Sequence, residues 1–163
     1  MGGMWRSRVR HRPDPGGGGG RPLESPPVVL LVDDERTIRM ICRVNLESDG
    51  FGVLEATDGR EALDRVREER PSLVLLDVMM PGLDGWGVAE ELATDDATRE
   101  IPVVFLSARA EHEDRLRAQE LGAVGYVVKP FDPIELAVTV REVLERVARG
   151  EREELKRELS EEQ

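Results

Sequence analysis

The sequence predicts an α/β fold built on a doubly wound parallel sheet, and three observations carry that expectation. Apolar, β-branched runs of strand length recur five times, at Val28–Val32 and at 51–56, 73–76, 101–106 and 124–128. Segments with apolar residues at helical spacing stand between them. The runs are mostly apolar instead of alternating, as strands covered on both faces are.

Composition bounds what such a domain does. The 163 residues suffice for one domain with a full core plus tails. No apolar run approaches the roughly 20 residues a membrane-spanning helix needs. The net charge of −11 argues against direct nucleic-acid binding, because phosphate contacts need a basic face. Cations and proteins are the better partners. The single cysteine, Cys42, cannot form an internal disulfide and suits a reducing, cytoplasmic setting. The basic N-terminus is followed by glycine and proline, with no apolar stretch that would make it a secretory signal.

Residues 1–26 form a basic arm with an unbroken run from Gly16 to Gly20 flanked by prolines. Nothing in it offsets the entropy of ordering, so it is expected to be disordered, as an idle extension or as a tether for an acidic surface. The first strand, Val28–Val32, ends in Asp33-Asp34. Ile38, Ile41, Cys42 and Leu46 then fall on one helical face. A second strand leads to Asp58-Gly59 and a helix whose inward face is Ala62, Leu63 and Val66, stopped by Pro71. The strand at 73–76 carries Asp77 to the sheet rim, where Met79, Met80, Pro81 and Gly82 make a stiff turn. Asp84 caps a third helix bearing Val88, Ala89 and Leu92. The fourth strand ends in Ser107-Ala108, and the fourth helix, about 111–121, is expected to bury Leu116 and Leu121. The fifth strand contains Tyr126 and leads to Lys129-Pro130-Phe131. Asp132-Pro133 starts a last helix with a stripe of Leu136, Val140, Val143, Leu144 and Val147. Residues 150–163 are nearly all charged, with only Leu155 and Leu159 in step. They read as a solvated tail or helix extension, with a short dimerising helix as the rival.

Five βα units with right-handed crossovers favour the flavodoxin-like order 2-1-3-4-5. In that order the carboxyl ends of strands one, three, four and five adjoin. Asp33, Asp34, Asp77, Ser107 and Lys129 then meet in one crevice, where such sheets bind ligands. Three carboxylates near one point repel unless a pKa rises or a cation binds. An oxygen-only donor set favours a hard ion such as Mg²⁺. The cation, Lys129 and the Ser107 hydroxyl suit three phosphoryl oxygens, with Asp77 as nucleophile.

At these residues the sequence resembles a receiver domain of the two-component response regulators. The resemblance rests on Asp33-Asp34, on the block Leu-Leu-Asp-Val-Met-Met-Pro-Gly-Leu-Asp-Gly around Asp77, on Ser107-Ala108, on Gly122-Ala123, and on Tyr126 with Lys129-Pro130-Phe131. It covers 28 to about 148, within a domain expected over 27–149. It implies that Asp77 is the phosphoacceptor. Asp33, Asp34, Asp77 and the Met79 carbonyl would hold Mg²⁺, and Lys129 would pair with the phosphoryl group beside a cis peptide before Pro130. Ser107 and Tyr126 would form the switch pair that reshapes the face of the fourth helix, fifth strand and fifth helix. A histidine kinase or histidine phosphotransferase would supply the phosphoryl group, and a downstream protein would read it. The chain would be a monomer or a weak, phosphorylation-dependent dimer, and not an enzyme in the ordinary sense.

Two residues depart from common receiver patterns. Met79 has no acid or amide to orient a hydrolytic water, and Arg109 can cover the phosphoryl group, so a slowly hydrolysing acyl phosphate is expected. Val124-Gly125 makes the output face more apolar than is usual. Two rivals remain: a receiver-like module that is never phosphorylated, and an aspartate-nucleophile phosphohydrolase. The second places its nucleophile after the first strand with a second acid two residues on, which Asp77 lacks. The charged tail alone follows the last receiver helix, as in a stand-alone receiver.

Overall fold

The computed structural model describes residues 25–161, so all but the last two residues of the expected basic arm lie outside the described residues. The sheet has strands β1 (Val28–Val32), β2 (Gly52–Ala56), β3 (Leu73–Asp77), β4 (Val103–Ser107) and β5 (Gly125–Val128). All pair in parallel, in the order β2-β1-β3-β4-β5. Helices α1 (Arg36–Ser48), α2 (Gly59–Glu69), α3 (Gly85–Thr94), α4 (His112–Glu120) and α5 (Pro133–Ala148) alternate with the strands, and α6 (Arg152–Glu161) follows. This is the flavodoxin-like fold that the sequence predicts.

Successive strand residues point to opposite faces and fill two cores. Leu30, Val32, Val74, Leu76 and Phe105 pack under α2, α3 and α4, with the Trp86 ring tilted against that of Phe105 at a centroid distance of 4.8 Å. Val29, Leu31, Leu73, Leu75, Val104 and Leu106 pack under α1 and α5. Because β3 is covered on both sides, all five of its residues are buried, and Asp77 is carried into the interior edge of the crevice.

Local chemistry fixes the helix starts. The side chains of Asp58, Asp84 and Asp132 accept from the N–H groups of Glu61, Gly87 and Ile134, and Pro133 occupies the first turn of α5. Pro71 follows Arg70, which closes α2 at φ 47°.

Three expectations are corrected. Ile41 is exposed, and the buried side of α1 is made by Cys42 and Leu46 with Ile38 half-buried. In α4 the buried residues are Asp114, Arg115 and Ala118, while Leu116 and Leu121 are only half-covered. Polar side chains are admitted there because the Arg115 guanidinium lies 5.1 Å from the Tyr126 ring centroid and Asp114 pairs with Arg109 at 3.3 Å. Residues 150–161, the described part of the expected tail, are neither frayed nor a continuation of α5. Gly150, at φ 84°, breaks the helix, and α6 folds back with Leu155 and Leu159 buried.

Candidate functional site

The crevice at the carboxyl ends of the strands is built on the β3–α3 turn. Val78 N–H donates to the Leu106 carbonyl at 3.0 Å and Gly85 N–H to the Val78 carbonyl at 2.9 Å, which pins the residue that follows Asp77 through both its backbone groups. Gly85 permits that approach. A Cβ there would lie 2.3 Å from the Asp77 carbonyl oxygen. Asp77 is only 3% exposed.

The acidic pair follows β1. Asp33 is fully buried, and its carboxylate accepts from Glu35 N–H at 2.9 Å and from Lys129 Nζ at 2.8 Å. Lys129 Nζ also lies 3.3 Å from Asp77 Oδ1, so one ammonium bridges two buried carboxylates. Asp34 is exposed at the rim. The carboxylate oxygens of Asp33, Asp34 and Asp77 lie within 4.8 Å of one another. One cation can therefore touch all three. The donor set, three carboxylates with no imidazole or thiolate, fits a hard divalent ion.

Electrostatics agree with that geometry. Burial, and then the charge of Asp33, push the Asp77 carboxyl up to about 6 from its ordinary 3.8, against the pull of Lys129 and the Met79 N–H. Burial pulls the Lys129 ammonium down, but its bonds to Asp33 and Asp77 outweigh that and raise it. It stays charged between them. Cys42 lies beneath the site, and burial, with Asp33, pushes its thiol up to about 12.

The hydroxyl and the aromatic residue meet at the backbone of one residue, Arg109. Ser107, fully buried, accepts the Arg109 N–H at 3.0 Å through Oγ. Tyr126, whose side chain is buried, donates its hydroxyl to the Arg109 carbonyl at 2.7 Å. The Arg109 side chain turns toward Asp114 at the start of α4. It does not line the crevice, whose volume is about 300 Å³ and whose walls are Asp34, Glu35, Asp77, Met79, Ala108 and Lys129. The peptide bond before Pro130 is cis. Lys129 N–H donates to the Ser107 carbonyl at 2.8 Å, tying the β5 end to the β4 end.

The structure thus brings together Asp33, Asp34, Asp77 and Lys129, with Met79 on the wall and Ser107 and Tyr126 joined through Arg109. Sequence reasoning missed Glu35, 4.0 Å from Lys129, and the small Ala108 that leaves the crevice open. It also missed Gly85.

Residues 29–141 match the family described as response regulator receiver domain. The chain is 46% identical over 124 residues to a probable transcriptional regulator ycf27 of Guillardia theta, covering 76% of this chain and 48% of that protein. It is 45% identical over 121 residues to the phosphate regulon transcriptional regulatory protein PhoB of Escherichia coli K12, covering 74% and 52%. The chain therefore spans about half the length of these curated relatives. Among solved structures, chemotaxis protein CheY4 of Vibrio cholerae superposes with a TM-score of 0.69 at 31% identity, over 72% of this chain and 98% of that one. A CheY-like receiver domain protein of Methanospirillum hungatei gives 0.72 at 25%, over 77% and 99%. With the fold, the acidic crevice and these matches in agreement, the chain belongs to the response regulator receiver domain family.

Proposed function

We propose that this chain is the phosphoacceptor switch of a two-component or phosphorelay system, taking a phosphoryl group onto Asp77 from a phosphohistidine of a histidine kinase or histidine phosphotransferase. The observation that supports this best is the cluster of Asp33, Asp34 and Asp77 within 4.8 Å, with Lys129 3.3 Å from Asp77. An Asp77 carboxylate oxygen attacks phosphorus and the P–N bond of the donor breaks. The electron pair stays on the imidazole nitrogen, and an acyl phosphate remains on Asp77. The buried, turn-pinned carboxylate is held in place for that attack.

Asp33, Asp34, Asp77 and the Met79 carbonyl are the groups we assign to Mg²⁺. When bound, the ion supplies charge neutralisation for the phosphoryl oxygens. Lys129 pairs with a phosphoryl oxygen, and the Ser107 hydroxyl donates to another. Once Ser107 turns to the phosphoryl group, it no longer holds the Arg109 N–H, and the Arg109 carbonyl that anchors Tyr126 is free to move. The face of α4, β5 and α5 changes with it and is read by a downstream protein.

Exposed apolar side chains near the crevice suit a docking donor protein. Met40 and Val44 on α1 are 54% and 59% exposed, and Ile134 and Val138 on α5 are 67% and 50% exposed. Both helices begin at residues that follow the crevice. A reducing compartment such as the cytoplasm suits the buried thiol of Cys42.

The test is intact-mass measurement of the chain and of Asp77→Ala after incubation with Mg²⁺ and a small acyl phosphate donor. A phosphoryl increment on the first and none on the second is expected. No increment on either supports a silent interaction module instead.

A further inference from the structure

Helix α6 lies beyond the stretch that matches the family, which ends at residue 141. It contacts α4, β5 and α5. Its two leucines, Leu155 and Leu159, sit one turn apart and are 6% and 3% exposed. Leu155 joins the apolar cluster of Val124, Val140 and Val143, and Leu159 joins that of Ala118 and Tyr126. The helix therefore lies across β5, the edge strand of the sheet, where unpaired backbone invites a partner.

Polar contacts hold it from both sides. The Arg146 guanidinium donates two bonds to Glu158, each 2.9 Å, and its Nε donates to Glu151 at 2.8 Å. From α4, Gln119 Nε2 donates to the Lys156 carbonyl at 2.6 Å and to Ser160 Oγ at 3.2 Å. A ten-residue helix this charged is not stable alone. Its form is imposed by the face beneath it. A groove of about 370 Å³ runs beside it, with Tyr126, Val143 and Arg146 on one wall and Leu155, Glu158 and Leu159 of α6 on the other.

We propose that the α4–β5–α5 face is a helix-docking site occupied in cis by α6, so that it opens only to a partner helix of the same chemistry, acidic and with two leucines one turn apart. Its consequence for signalling rests on the receiver reading above, since α6 then covers the face expected to carry the output. The docking chemistry stands apart from that reading. Only Arg149, Gly150 and Glu151 separate α5 from α6, and so short a link presents α6 to its own face at an effective concentration on the order of millimolar.

A labelled peptide of residues 150–163 tests the site in the full-length chain, by fluorescence anisotropy up to ~1 mM, the range set by that effective concentration. The Leu155→Ala/Leu159→Ala chain, whose α6 is loosened, is expected to bind the peptide saturably. The wild-type chain should bind it at least about tenfold more weakly, because an occupied face leaves a small competent fraction. Adding Arg146→Ala to the double variant should weaken binding again. No saturable binding to the double variant, or equal affinity for the two chains, overturns the proposal.

Hydrogen exchange of the unmodified chain needs no substitution. The α6 amides should be protected, and excess peptide should lift that protection. Unprotected α6 amides overturn the proposal, as does a sedimenting dimer in which α6 seats on a second copy. Phosphorylation of Asp77, followed by mass, is read separately in the same samples. Loss of the increment with peptide binding intact refutes the receiver reading alone.

Discussion

Replacing Asp77 by Asn should stabilise the metal-free chain. Asp77 is 3% exposed, beside the fully buried Asp33, and its carboxyl is raised from 3.8 to about 6. At about 1.4 kcal/mol per pH unit, ionising it in the fold costs about 3 kcal/mol at neutral pH. A raised carboxyl pKa favours the fold below about pH 4, where the acid is protonated in both states, and that advantage is lost as pH rises through about 6. The gain of Asp77→Asn over wild type should therefore be small at pH 4, grow up to about pH 6, and stay level above it. For a chain of this size it amounts to roughly 6–12 °C in melting temperature. The assay is thermal or urea unfolding in EDTA across pH 4 to 8. Adding Mg²⁺ at ten times its Kd should return about 1.4 kcal/mol to wild type and less to the variant. Equal stability of the two chains in EDTA at pH 7, or a less stable variant, would refute the argument that the acidic cluster is strained without a cation.

Gly85→Ala should destabilise by about 1–3 kcal/mol and slow acceptance at Asp77, since the new Cβ meets the Asp77 carbonyl at 2.3 Å and the turn must move. Urea unfolding with mass-detected phosphorylation reads both. Met79→Glu places a carboxylate at a wall position that has none, where it can orient a hydrolytic water, and should shorten the acyl phosphate lifetime about tenfold or more. An unchanged decay in Mg²⁺ would refute the expectation that Met79 slows hydrolysis. Cys42, with its thiol at about 12, should resist iodoacetamide at pH 8 in the folded chain and react once unfolded. Fast native alkylation would contradict its burial.

The crevice was legible because strand ends in a parallel sheet bring distant residues to one rim. Asp33, Asp77 and Lys129 needed only the strand boundaries and the order 2-1-3-4-5 to be placed together. The inward side of α4 was not legible. Apolar periodicity assumes that what is buried is apolar, yet Asp114 and Arg115 are covered there because one ties Arg109 and the other lies over Tyr126. Ile41 misled in the opposite direction, as an apolar residue at helical spacing that points to solvent. Arg109 was expected over the phosphoryl group from its position alone, and its pairing with Asp114 comes from tertiary structure. For the same reason α6 could not be read from its own residues. Two leucines among charges do not specify a docked helix until α4, β5 and α5 have assembled the surface that receives them.

These illegible parts have a common location. Asp114 and Arg115 flank the peptide of Arg109 and the ring of Tyr126, and Leu159 of α6 packs in the same cluster as that ring. The crevice reaches this region through the backbone of one residue, Arg109, whose N–H is held by Ser107 and whose carbonyl, in the next peptide group, is held by Tyr126. On the proposed reading, a charge placed on Asp77 would act on the Ser107 hydroxyl first, and the Arg109 backbone would pass that change to the aromatic ring under α6. Packing that follows no apolar period is what such a connection requires. A segment whose inward side were all leucine would gain its burial in one arrangement and resist leaving it. Buried polar side chains hold one another in a definite pairing, so drawing one partner away disturbs the others. On this view the weak amphipathicity of α4 and the sparse apolar contacts of α6 are one property, a face held by polar pairings that a single new charge in the crevice would disturb.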